Sequence, residues 1–400
     1  MNAAWKKVKL GEVVTPIVRA ESPMPGTIYR QIGVKLWGEG AYEREAIDGS
    51  QTKYAQLFRT EAGDVIVNKI WARNGSVAVV PPSLAGCFGS SEFPMFAPKT
   101  NCLEPLWIHW LTKTHGFWEQ CDEKSRGTSG KNRIKPEQFL KVEIPLPTLA
   151  EQRRIVARID ELAEQINEAR DLRRQVTESS EALMRTQLNK VFNYEMNQRG
   201  VTKLDTLLID AGYGSSEKCY PEQDDGTTPV LRIPNVASEQ INFIDLKYAQ
   251  LNKRDSERLI LSEGDVLVVR TNGSLELVGR SAVVPKLDKP FAFASYMIRL
   301  RFDQNRITSN YAQRMLQQLR VSGALVDFAR TTAGQYNVSL GRLRAAEIPI
   351  PLLPKQRRIV AELDALQAEV DALKRLQAET AAELDAFLPA VLDRAFKGEL

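Results

Sequence analysis

The chain has 400 residues, 43% of them hydrophobic and 26% charged, with a net charge of +4. That length suits two or three globular domains. No run approaches the ~20 apolar residues that span a bilayer, and the polar residues after Trp5-Lys6-Lys7 do not form a secretory leader. The four cysteines (Cys87, Cys102, Cys121, Cys219) lie far apart with no C-x-x-C pair, so reduced thiols and a cytoplasmic protein are expected. His109 and His115 are the only histidines and have no Cys or His at metal-ligand spacing, so no metal site is expected.

In chain order, residues 1–145 begin with short β-rich runs, Asp64-Val-Ile-Val67 and Ser76-Val-Ala-Val-Val80, separated by Gly-Asp and Asn-Gly turns. A helix is expected near 105–124. Ile144-Pro-Leu-Pro147 ends a strand and opens a helix. Apolar residues then fall at Ile155, Ile159, Leu162, Ile166 and Ala169, and after a one-step shift at Leu172, Val176 and Leu183. Residues 200–349 repeat the β-rich style, with Asp265-Val-Leu-Val-Val-Arg270 as a strand and a helix near 309–329. A second long helix follows, its stripe formed by Ile359, Leu363, Leu366, Val370, Leu373, Leu376, Leu384 and Phe387. Charges of both signs fill the other faces, as on a coiled coil. About 40 residues make a rod of ~60 Å. The basic surplus lies outside these two stretches, which is compatible with phosphate contact.

The chain is a tandem duplication. Residues 144–162 and 348–366 are identical at twelve of nineteen positions, at a constant offset of 204. The same offset pairs Leu188-Asn-Lys-Val-Phe192 with Leu392-Asp-Arg-Ala-Phe396, and Ala78-Val-Val-Pro81 with Ala282-Val-Val-Pro285. Further upstream Gly63-Asp64-Val65 answers Gly264-Asp265-Val266. The helical portions stay alike, while the β-rich portions match only at scattered positions. Such a frame with two different faces suits a bipartite reader.

Catalytic motifs are missing. The only Pro-Pro, Pro81-Pro82, has Val80 before it and Ser83 after it, so the Asn/Asp-Pro-Pro-aromatic loop of adenine methyltransferases is absent. There is no Gly-x4-Gly-Lys-Ser/Thr phosphate loop. Asp245-Leu-Lys247 is half of a nuclease pattern with no supporting context. No catalytic residue is assigned.

The doubled Ile-Pro-x-Pro…Gln-Arg-Arg-Ile-Val-Ala…Asp signature resembles the DNA-specificity subunits of type I restriction-modification enzymes. So do the Gly-Asp-Val strands with their Asn-Gly-Ser turns (Arg73 to Ser76, Thr271 to Ser274) and the closing Ala395-Phe-Lys-Gly-Glu-Leu400. Pro354-Lys355 in place of Ala150-Glu151 is a departure. The resemblance implies an α+β fold with a pseudo-two-fold internal repeat. Two mixed α/β target-recognition domains (1–148 and 198–352) are separated by two long helices (149–197 and 353–400) forming an antiparallel coiled coil. Each domain would read one half of a split site in double-stranded DNA, with the helices as a ruler. Two methyltransferase subunits and motor-nuclease restriction subunits would be partners, carrying the S-adenosylmethionine, ATP and Mg chemistry; this chain would hold no cofactor.

DNA-contact candidates are Arg30, Lys69, Arg73 and Asn74 in the first domain, and Arg232, Asn235, Arg270, Asn272 and Arg280 in the second. A second corresponding pair of loops adds Arg126, Lys131 and Arg133, and Gln335, Tyr336 and Asn337. Candidates for the coil and for subunit docking are Gln152, Arg153, Arg154, Ile155, Ile159 and Leu162, with Gln356, Arg357, Arg358, Ile359, Leu363 and Leu366. The competing reading is a coiled-coil scaffold whose globular ends bind proteins. The six tryptophans all lie in the first domain, where core packing is expected for most.

Overall fold

A computed structural model describes residues 5–125, 132–325 and 334–400. The chain divides into two compact units, Met1–Arg173 with Gln377–Leu400, and Arg174–Leu376. Each unit therefore combines one variable portion with part of both long helices.

In the first unit a four-stranded sheet has the order Val14–Ile17, Met95–Pro98, Val65–Val67, Val77–Val79. The second unit repeats that order with Leu208–Tyr213, Met297–Phe302, Val266–Val269 and Ser281–Val283. All neighbours in both sheets are antiparallel. Val65–Val67 and Val266–Val269 are valine-rich and fully buried, as strands covered on both faces require. The Gly-Asp-Val motif starts each one. Gly63 and Gly264 take φ of 88° and 85°, a turn that glycine enters freely. The following carboxylate is buried: Asp64 accepts from the Glu61 N–H and pairs with Arg19 at 2.6 Å, while Asp265 accepts from the Ser262 N–H and pairs with Arg301 at 2.7 Å. The motif is the same, but its arginine comes from a different place: Arg19 follows the strand Val14–Ile17, whereas Arg301 lies within Met297–Phe302.

The second layers differ. The first unit has a five-stranded sheet that includes the long hairpin of Ile28–Val34 and Ala41–Asp48. The second has a three-stranded sheet and a two-stranded ribbon, Thr271–Asn272 with Tyr336–Asn337. The expected helices occur at Pro105–Leu111 and His115–Ser125, and at Ser309–Val321. The Ile-Pro strands pair with the start of each repeat, Glu143–Pro145 with Lys7–Lys9 and Glu347–Ile348 with Thr202–Lys203.

The long helices are Leu149–Arg199 and Leu353–Lys397. The first stops at Gly200, φ 71°, a common helix C-terminus; the second contains Pro389. Their start is fixed by one side chain in each repeat. Gln152 accepts from the Glu104 N–H at 2.8 Å and donates to the carbonyls of Cys102 and Pro147. Gln356 accepts from the Thr308 N–H at 2.9 Å and donates to the carbonyls of Arg306 and Pro351. Both glutamines are fully buried.

The helices pair antiparallel within each unit, but not on the whole stripe that the sequence suggested. Ile155, Ile159, Ile166, Ile359, Leu363 and Val370 are buried, and Leu162 and Leu366 are half-buried beside them. Leu172, Val176, Leu183, Leu376 and Phe387 are exposed instead. No one-step shift occurs. From Gln152 the seven-residue spacing continues through Ile159 and Ile166 to Arg173 and Ser180, and only the residue types change from apolar to polar. In the first unit Arg170 pairs with Asp385 at 2.9 Å, and Arg173 donates to Thr380 Oγ1 at 2.7 Å and to the Gln377 carbonyl. In the second, Lys374 pairs with Glu181 at 2.6 Å and Lys355 with the buried Glu195 at 2.6 Å.

Candidate nucleic-acid interface

In each unit three loop segments meet at one place. The Lys69 N–H donates to the Glu92 carbonyl at 3.1 Å, and the Lys69 carbonyl accepts from the Ile134 N–H at 2.9 Å. At the matching place the Arg270 N–H donates to the Tyr296 carbonyl and its carbonyl accepts from the Val338 N–H, both at 2.8 Å. The frame thus brings the turn after the Gly-Asp-Val strand against the segment that precedes each long helix. Two groups of candidates far apart in sequence become neighbours: Lys69 with Arg133, and Arg270 and Asn272 with Gln335, Tyr336 and Asn337. In the second unit the contact is a ribbon in which Thr271 faces Asn337 and Asn272 faces Tyr336. Arg126 and Lys131 lie outside the described residues.

The side chains sort into groups turned inward and groups left at the surface. Lys69 stands 4.0 Å from Glu92, and Arg133 donates to the same Glu92 Oε1 at 3.1 Å. Arg73 lies 6.0 Å from the Trp71 ring centre and has no ion pair among the described residues. Asn74 accepts from the Trp37 N–H through its carbonyl at 2.7 Å. Arg270 stacks over Tyr213 at 4.5 Å. Asn272 accepts from the Ser274 N–H, shaping its own turn, and Gln335 Oε1 accepts from the Thr271 hydroxyl at 3.2 Å. Arg270 Nε and Asn337 Oδ1 are buried with no hydrogen-bond partner among the described residues.

Other candidates serve the fold. Arg30 grips Glu43 through two nitrogens across the hairpin, at 2.9 and 2.7 Å, and this hydrogen bonding raises its pKa above the ordinary guanidinium value. Arg232 is tied to the Asp245 carboxylate at 2.8 Å, which also accounts for the aspartate of the half nuclease pattern. Asn235 is fully buried and donates to the carbonyls of Asn242 and Ile244. Arg280 donates to the Glu276 and Ala237 carbonyls. Gln152 and Gln356, placed among the docking candidates, are sealed inside their own units and cannot meet a partner. Arg153 pairs with Glu104, Arg154 with Glu151 and Arg358 with Glu362, and Arg357 is exposed.

Four of the six tryptophans pack inward. Trp107 and Trp110 are buried, and Trp5 and Trp118 are half-buried against the same core. Trp37 and Trp71 are 58% and 44% exposed. Sequence reasoning missed Glu92, which carries no motif and acquires its neighbours only in the fold. It also missed the exposed apolar residues of the helices, which it assigned to the seam. Among the described residues no group of three or more His, Cys, Asp or Glu is placed to hold a metal, and no helix is long and apolar enough to cross a membrane.

A tandem pair of α+β units with convergent loops of unlike chemistry is the form of a two-part recognition protein. The family follows from comparison. A family model described as the type I restriction modification DNA specificity domain matches residues 2–177 and again 208–381; the chain belongs to this family. Among curated proteins it is 26% identical over 302 residues to the type I restriction enzyme EcoKI specificity subunit of Escherichia coli (strain K12), covering 72% of this chain and 64% of that one. It is 24% identical over 308 residues to the StySPI specificity subunit of Salmonella potsdam, covering 74% and 66%. The matches thus span just under two thirds of those relatives. Among solved structures it resembles a chain from work on complex assembly and conformational transition of the type I R-M system (TM-score 0.76, 25% identity, 100% of this chain and 99% of that one). It also resembles the HsdS subunit from Thermoanaerobacter tengcongensis (TM-score 0.62, 26% identity, 100% and 98%).

Proposed function

We propose that this chain is the DNA-specificity subunit of a type I restriction-modification complex, each variable portion reading one half of a bipartite site. The observation that carries the reading is the repeated loop site. One backbone arrangement occurs in both units, filled by Lys69, Glu92 and Arg133 in the first and by Arg270, Tyr296 and Asn337 in the second. Two readers on a common frame with different side chains are what a split, asymmetric site demands, because base edges are distinguished by donor and acceptor patterns. Arg73, beside exposed Trp71, suits phosphate or groove contact, which positions a protein on DNA. Membership of the family favours this reading over a protein-binding scaffold.

The long helices set the spacing between half-sites and hold two methyltransferase subunits. The docking surface differs from the residues first assigned. Leu172 and Phe387 in the first unit are exposed, as are Val176, Leu183 and Leu376 in the second. At the offset of 204, Leu172 answers Leu376 and Leu183 answers Phe387, so each copy offers an equivalent apolar pair to one of two identical partners. The S-adenosylmethionine, ATP and Mg chemistry belongs to the methyltransferase and restriction subunits. The test is binding of the assembled complex to DNA carrying its site. The expected result is tight binding that falls steeply with salt; binding to proteins alone, with no affinity for any duplex, contradicts it.

A further inference from the structure

The first variable portion contains a cavity of about 530 Å³ that includes Tyr54, Asn68, Trp71, Phe88, Glu92 and Phe93 in its lining. Its chemistry is uneven. Tyr54 and Trp71 are 49% and 44% exposed, apolar rings at an open surface, whereas the carboxylate of Glu92 is held at defined points. The Glu92 N–H donates to Ser90 Oγ at 3.3 Å, Arg133 donates to Oε1 at 3.1 Å, and the Lys69 ammonium stands 4.0 Å from that oxygen. The other oxygen, Oε2, is buried and has no hydrogen-bond partner among the described residues. A buried acceptor left without a donor is costly, and Glu92 lines this cavity on the loop cluster already argued to face DNA.

The matching place in the second unit is built differently. Tyr296 replaces Glu92 at the offset of 204 and is 56% exposed. The polar atoms lacking partners there are Arg270 Nε and Asn337 Oδ1. Both units thus carry unsatisfied polar atoms at the same locus, an acceptor in one and a guanidinium nitrogen with an amide oxygen in the other.

In the major groove only adenine and cytosine offer a donor, through N6 and N4; guanine and thymine offer acceptors. A fixed carboxylate oxygen accepts from the first two and repels the others. We propose that Glu92 is a specificity-determining residue of the first variable portion, its carboxylate accepting a hydrogen bond from the exocyclic amino group of one adenine or cytosine. Trp71 and Tyr54 give apolar contact to the neighbouring base or its methyl group. The proposal rests on the DNA-reading function above and names the base edge that one residue reads.

The experiment maps methylation at single-base resolution in cells carrying the complex with this chain or its Glu92→Gln variant. If the unaltered chain yields no split motif, the DNA-reading function itself fails, and this proposal with it. With the motif established, Glu92→Gln is expected to make one adenine or cytosine position of one half-site degenerate. Discrimination there should drop about 5- to 150-fold, the other half-site should stay unchanged, and the relaxed position identifies the base. A motif intact at every position overturns the proposal while leaving the DNA-reading function standing. Should the variant not assemble, the unaltered complex is assayed on duplexes in which each adenine of the half-site is replaced in turn by purine lacking the 6-amino group. Each cytosine is likewise replaced by its analogue lacking the 4-amino group. One sensitive position, weakened by the same factor, is expected; none overturns the proposal.

Discussion

Gln152 and Gln356 each satisfy a backbone N–H and two carbonyls in a fully buried setting. Gln356→Leu keeps the bulk but removes all three bonds, and unsatisfied buried groups cost ~1–3 kcal/mol each. Urea denaturation is expected to show a loss of about 3 kcal/mol for this variant, and no loss refutes the assigned role. His109 offers a test in pH. Burial, with a smaller contribution from Lys113, pushes it down to about 4 from 6.5. Below pH 6.5 the unfolded chain takes up a proton that the folded chain refuses until about pH 4, so stability falls as pH drops through that window. His109→Gln, which copies Gln313 at the matching place of the second repeat, is expected to flatten that part of the stability profile and leave it unchanged above pH 7. At this scale the sequence was legible where a residue recurs in both repeats. It was less legible among arginines. Arg30, Arg232 and Arg73 look alike in sequence, and only the fold supplies Glu43 and Asp245 to the first two.

The existence of the long helices could be read from the period of apolar residues, but the side that faces the partner helix could not be read throughout. Where the seam turns polar at Arg173 and Ser180, exposed Leu172, Val176 and Leu183 mimic its continuation, because a shift of one residue keeps the same rhythm. The two kinds of leucine-like position separate in stability measurements. Ile159→Ala removes a fully buried side chain and is expected to cost ~2–5 kcal/mol. Leu183→Ala removes one that is 53% exposed and should cost less than about 0.5 kcal/mol. The same Leu183→Ala change should weaken methyltransferase binding in a pull-down titration; undiminished binding, with Leu376→Ala also silent, would remove this face from the docking surface. The strands were equally legible, because Val65–Val67 and Val266–Val269 are continuous valine-rich apolar runs preceded by a Gly-Asp turn. The ribbon of the second unit was not, since it pairs Thr271–Asn272 with Tyr336–Asn337, segments far apart in the chain.

For the whole molecule, the duplication carries the argument: two copies of one frame, divergent where loops converge and alike where helices begin. Lengthening both helices by one heptad adds ~10.5 Å of rod, about three base-pair steps at 3.4 Å. The gap between half-sites should grow accordingly while the half-sites stay the same. Replacing residues 1–145 by the corresponding portion of another family member should change one half-site and leave the other. Both outcomes presuppose the central claim, that the chain alone decides which split sequence its complex modifies. The most direct measurement of that claim is a single-base methylome of the host with and without this gene. The account predicts that one bipartite adenine-methylated motif, and no other, disappears on deletion and returns when the gene is restored. A methylome unchanged by deletion, from a host in which the complex is demonstrably assembled and active, would contradict it.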